Sequence, residues 1–226
     1  MIGFVGGFVG RENSIHSVVQ LAEQLRRTYP SGVDVEVFEN RHVIQARRRI
    51  LMLLTPDSHG VLSSDEKREA RIVLYGHSWG AAAVVQLARA LEQDGIPVLL
   101  TVQVDAISKH FGTNISTIPS NVREAANLYQ THGLIHGVQT IRAQDPSATR
   151  IVGNFRFDYT HSDLTCPNYP WWDRYFMKAH MQIECDPAVW SKVESLITRA
   201  LTPAHRETHA VTESPLASRL SVDRMQ

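Results

Sequence analysis

Four apolar runs of strand length, separated by stretches of helical periodicity, constrain this chain more than anything else in it. Met1 to Val5, the period-two "VDVEVF" from Val33, Ile72 to Tyr75, and Ile96 to Val104 read as strands. Between them, Ile15, Val18, Val19, Ala22 and Leu25 recur at helical spacing, as do Val43, Ala46, Ile50 and Leu54, and then Ala81, Val84, Val85, Ala88 and Leu91. Asn40 stands where it would cap the second of these helices. Strands joined through helices are parallel, because a parallel pair needs a crossover connection. The expectation is an α/β fold: a mostly parallel sheet with helices on both faces.

Farther along, residues 106–119 read as loop, Asn121 to Gln130 as a short helix, and Val138 to Arg142 and Arg150 to Phe157 as two more strands. The aromatic segment "PNYPWWDRYFMKAH" has no clear period. Asp186-Pro187 opens a last helix, with Val189, Val193, Leu196, Ile197 and Ala200 on its apolar face. Residues 1–202 are expected to form one domain and residues 203–226, polar and unpatterned, a disordered tail.

Between the third strand and its helix stands Gly76-His77-Ser78-Trp79-Gly80. A G-x-S-x-G string alone is weak evidence, but here a strand precedes it and a helix follows it directly. A sharp strand-to-helix turn exposes the serine hydroxyl only if its flanking residues are small, since a Cβ there collides with neighbouring backbone. The turn also sets Ser78 at a helix N-terminus, where backbone N–H groups favour negative charge.

With this motif and this order of elements, the chain resembles the α/β-hydrolase superfamily from Met1 to about Leu201, in a trimmed form without the usual N-terminal hairpin. Within the superfamily it looks most like small bacterial esterase- or lipase-like proteins. The resemblance implies a serine nucleophile, Ser78, followed along the chain by an acid and then a histidine. His180, ahead of the last helix, and His161, after the last expected strand, are both permitted bases. Asp105, closing the fourth strand at its C-terminal end, and Asp145 in "RAQDPS" are the candidate acids. A serine hydroxyl needs such a pair, one group to take its proton and one to orient the imidazole. The resemblance further implies an oxyanion hole from the N–H of Trp79 and an N–H of "GGFVG", at Phe8 or Gly7. Trp171 and Trp172 are candidates for walling an acyl pocket.

The remaining features narrow the partners. Lys plus Arg and Asp plus Glu balance at 23 each, and the basic run Arg47-Arg48-Arg49 fits the solvated face of a helix, so a nucleic-acid surface is not expected. "TPDSHGVLSSDE" has the outline of a calcium loop, with Asp57, Ser63 and Glu66 at ligand positions. Its first position is Thr55 where a carboxylate belongs, so it reads as a degenerate copy and a polar loop. The two cysteines, Cys166 and Cys185, have no zinc spacing and suit a reducing compartment, though one bridge between them stays open. The N-terminus is apolar but broken by glycines and is a poor signal peptide, and no apolar run is long enough to span a membrane. A cytoplasmic serine hydrolase acting on a small-molecule ester or thioester, with no cofactor, is therefore expected. A non-catalytic protein that keeps the fold as a binding module, and an acyltransferase using the same residues, are the alternatives.

Overall fold

The computed structural model describes residues 1–55, 62–109 and 112–202. The elements run β1 (Ile2–Val5), α1 (Ser17–Thr28), β2 (Glu36–Glu39), α2 (Val43–Leu54), α3 (Ser64–Glu69), β3 (Val73–His77), α4 (Trp79–Gln93), β4 (Val98–Val104), β5 (Thr117–Ile118), β6 (Val122–Tyr129), β7 (Arg142–Ala143), β8 (Arg150–Arg156), α5 (Trp171–Phe176), α6 (Lys178–Cys185) and α7 (Pro187–Leu201). Six strands form one sheet in the order β2-β1-β3-β4-β6-β8, and every neighbouring pair is parallel.

Alternation along the strands divides the core into two layers. Val5, Val73, Tyr75, Leu100, Val102 and Val104 face α1 and α7 through Val18, Leu25, Trp190, Val193 and Ile197. Ile2, Phe4, Leu74 and Val98 face α2 and α4 through Ala46, Ile50, Val84, Leu87 and Leu91. Each fully buried Leu in these layers contributes roughly 1.5–3 kcal/mol by leaving water. The sheet is thus covered on both faces, as a parallel sheet must be. No helix among the described residues is long and apolar enough to cross a membrane.

The C-terminal half departs from the sequence expectation. Residues 122–129 are not a helix but β6, inserted between β4 and β8. Their Ala, Glu and Leu content favours a helix, yet Ala125, Ala126, Asn127 and Leu128 are all buried, and burial in mid-sheet outweighs a propensity of a few tenths of a kcal/mol per residue. Residues 138–141 do not join the sheet. The Asn127 amide donates to the Val138 and Gln139 carbonyls, and Asn154 Oδ1 accepts the Ile141 N–H, so side chains take the place of a strand ladder. Only Arg142 and Ala143 pair, with β5, in a separate two-stranded sheet. The aromatic segment forms α5, and His180 sits on a helix, α6, where a loop was expected.

Asn40 caps nothing, since α2 starts after His42. Ser63 and Glu66 are committed to a capping box that opens α3, while Asp57 lies outside the described residues, as does the expected tail 203–226. Arg47 of α2 pairs with Asp94 at the end of α4, and Arg49 with Glu36 of β2. Cys166 and Cys185 form a disulfide that ties the segment before α5 to the end of α6. Persistent disulfides belong to oxidising surroundings, so the cysteines no longer speak for a reducing compartment.

Candidate active site

Ser78 joins β3 to α4 with φ 58° and ψ −124°, and Asp105, just after β4, has φ 43°. These are the only non-glycine residues with positive φ among those described. Such a conformation costs of order 1–3 kcal/mol and survives only where surroundings over-determine it. At Ser78 they do. Its N–H donates to the Val104 carbonyl at 2.9 Å, and its carbonyl accepts from Ala81, Ala82 and Ile107.

The flanking glycines are a steric necessity. A Cβ on Gly80 would lie 2.1 Å from the Phe4 carbonyl oxygen, and one on Gly76 would lie 2.7 Å from the Gly80 backbone. A serine before a helix commonly caps it through its side chain. Ser78 makes no such bond. Its Oγ lies instead 3.0 Å from His180 Nε2, and His180 Nδ1 lies 2.6 Å from Asp105 Oδ2.

Three elements bring these groups together: the β3–α4 turn, the end of β4 and helix α6. All three side chains are buried, with Asp105 at 0% exposure. The Asp105 carboxylate has further donors that sequence reasoning did not find. Gly137 N–H reaches Oδ1 at 2.7 Å and the Gln130 side-chain amide reaches Oδ2 at 2.9 Å. The alternatives lie elsewhere. Asp145 accepts from Ser147 in a surface turn, and His161 sits in the segment after β8; neither lines the cavity at Ser78.

That cavity, about 630 Å³, is lined around Ser78 by Gly6, Gly7, Phe8, Val9, Trp79 and Ile107, together with Leu134, Ile135, Met177 and Met181. Gly7 and Phe8 lie at the tip of a turn closed by the Val9 N–H on the Gly6 carbonyl at 3.2 Å. Trp79 opens α4, where backbone N–H groups lack helical partners. The Asn40 amide donates to the Gly7 carbonyl at 2.6 Å, a contact that nothing in the local sequence announces. Trp171 and Trp172 do not line the cavity; they pack edge-on against each other, 65% and 52% exposed, and their segment contributes Asp173 and Met177 instead. A larger cavity of about 1090 Å³ lies near the starts of β3, β4, β6 and β8, among Arg71, Arg123, Arg150 and Arg199, and no histidine among the described residues lines it.

No protein-family model matches the sequence, and no curated protein matches it. Among solved structures, the fold is similar to the crystal structure of human thioesterase 2, with a TM-score of 0.39 and 10% identity over 88% of this chain and 94% of that one. A likeness of that strength says nothing about chemistry.

Proposed function

We propose that this protein is a serine hydrolase that cleaves a carboxylic ester or thioester through an acyl-enzyme on Ser78. One observation carries the reading: a continuous hydrogen-bonded line from Ser78 Oγ through both nitrogens of His180 to Asp105, starting at a serine held in a strained turn. His180 Nε2 takes the hydroxyl proton as Oγ attacks the acyl carbon. Nδ1–H donates to Asp105, whose charge stabilises the imidazolium, while Gly137 and Gln130 keep the carboxylate oriented. The N–H groups of Trp79 and of Phe8 or Gly7 receive the oxyanion. Collapse expels the alcohol or thiol with the proton from His180, and water then repeats the sequence to release the acid.

The walls of Phe8, Val9, Leu134, Ile135, Met177 and Met181 suit an apolar acyl or leaving group. The test is labelling with a fluorophosphonate probe alongside turnover of a short p-nitrophenyl ester. Wild type is expected to do both, Ser78→Ala neither, and His180→Ala to lose turnover where His161→Ala retains it. Folded wild-type protein that neither labels nor turns over would favour a binding module built on the same fold.

A further inference from the structure

The proposed reaction leaves one buried polar assembly beside the site without a task. Glu184 follows His180 by one turn of α6, so the two side chains leave the same face of the helix. Its carboxylate is 3% exposed. Oε1 lies 2.6 Å from His16 Nδ1, at the start of α1, and Oε2 lies 3.5 Å from His77 Nδ1. His77 is the residue before the nucleophile, and its ring lies 4.6 Å from that of His180 at an interplanar angle of 31°. His77 is itself buried, and its Nε2 finds no hydrogen-bond partner among the described residues.

A buried carboxylate is costly unless paired, and a packing role alone would be filled better by an apolar side chain. Resting on the assignment of His180 as the base, we infer that His77 and Glu184 are positioning residues for it: His77 is the flat wall against which the His180 ring lies, and Glu184 holds that wall and biases His180 toward its imidazolium form. His77 can do this as a neutral ring. Burial, and then the proximity of His180 and His16, hold its pKa well below the ordinary imidazole value, so it adds no repulsion as His180 becomes charged.

The charged and titratable groups around His180 are few. Asp105 faces it from the end of β4, His77 from β3 and Glu184 from its own helix, with His16 of the α1 start behind Glu184. Asp173 of α5 and His136 line the same cavity. Of these, Asp105 and Glu184 are buried carboxylates, poorly screened by salt. Removing the charge at Glu184 therefore withdraws a buried negative charge from the side of His180 that becomes imidazolium.

The experiment is a ¹⁵N-imidazole NMR titration of His180 in wild type and Glu184→Gln, with pH profiles of kcat/KM for the same proteins. Glu184→Gln is expected to move the acid limb of kcat/KM and the His180 ¹⁵N signals in step, in the direction that disfavours imidazolium. A second pair keeps the proposal falsifiable if Glu184→Gln does not fold. His77→Leu is expected to lower kcat about tenfold with KM nearly unchanged, and His77→Phe, which restores a flat ring, to recover most of that loss. An unmoved His180 titration in folded Glu184→Gln overturns the inference, as do equal activities in His77→Leu and His77→Phe. The titration is read without turnover, so wild type that neither labels nor hydrolyses sinks the hydrolase reading while the effect of Glu184 on His180 is still measured.

Discussion

Gly137 is both a donor to Asp105 and a steric limit on it: its N–H reaches Oδ1 at 2.7 Å, while a Cβ at Gly137 would lie 2.3 Å from the Asp105 carbonyl carbon. Gly137→Ala is therefore expected to push the 136–138 segment off the end of β4 and misalign the carboxylate. Steady-state kinetics with the p-nitrophenyl ester should show kcat falling at least about tenfold. Unchanged kcat would mean that Gln130 alone suffices to orient Asp105.

Gly80 sits in the first turn of α4, where helix propensity favours Ala over Gly by about 1 kcal/mol. The 2.1 Å approach to the Phe4 carbonyl reverses the sign, because neither backbone can yield and overpacking costs about 1–3 kcal/mol or more. Gly80→Ala is expected to lower Tm by about 2–8 °C in a thermal melt. A higher Tm would show that β1 and α4 have room between them.

Asn40 reaches across from the end of β2 to hold the Gly7 carbonyl, and so the turn proposed to carry the second oxyanion donor. Asn40→Ala should lower kcat about tenfold with KM little moved, while urea denaturation records a loss of only about 1–2 kcal/mol. An activity loss confined to KM would point to a role in the pocket wall instead.

His77 also ties stability to pH. Burial keeps the folded-state pKa well below 6.5, so below that pH the unfolded chain takes up a proton that the folded chain does not. Stability from this group is complete above about pH 6.5 and declines as the pH falls, by up to about 1.4 kcal/mol per pH unit. Urea denaturation at pH 7 and pH 5.5 should show the lower stability at pH 5.5. The gap should shrink in His77→Phe; an equal gap in both proteins would assign the effect to other groups.

The parallel sheet was legible because β1 to β4 announce themselves through periods of two and 3.6, and Ser78 because its glycines mark a turn that only small residues can make. Of the two histidines and two acids that the sequence offers, His180 and Asp105 are the pair that stands beside Ser78, and a line of sequence does not say which segment returns to β3. β6 was hidden: "VREAANLY" has helical composition, and only its place between β4 and β8 makes it a strand. Gln130, Gly137 and Asn40 serve the site through contacts spanning 25 to 33 residues, with no local pattern to mark them. The Cys166–Cys185 bridge was likewise undetermined, because two cysteines give a pairing but no evidence of proximity.

The positive φ of Ser78 and Asp105 has a consequence for how this sequence can drift. Glycine would be easier on the backbone at both positions, and at Ser78, whose side chain caps nothing, a chain retained only for its fold would gain by giving the serine up; at Asp105 the gain is offset by the buried donors left behind. That it carries a hydroxyl at Ser78 sets that residue at a backbone cost, at one end of a hydrogen-bonded line that Asp105 closes at the other. Random substitution screened for thermal stability alone is expected to release Ser78 before Asp105, and so to lose the hydroxyl while the buried carboxylate and the sheet beneath it persist.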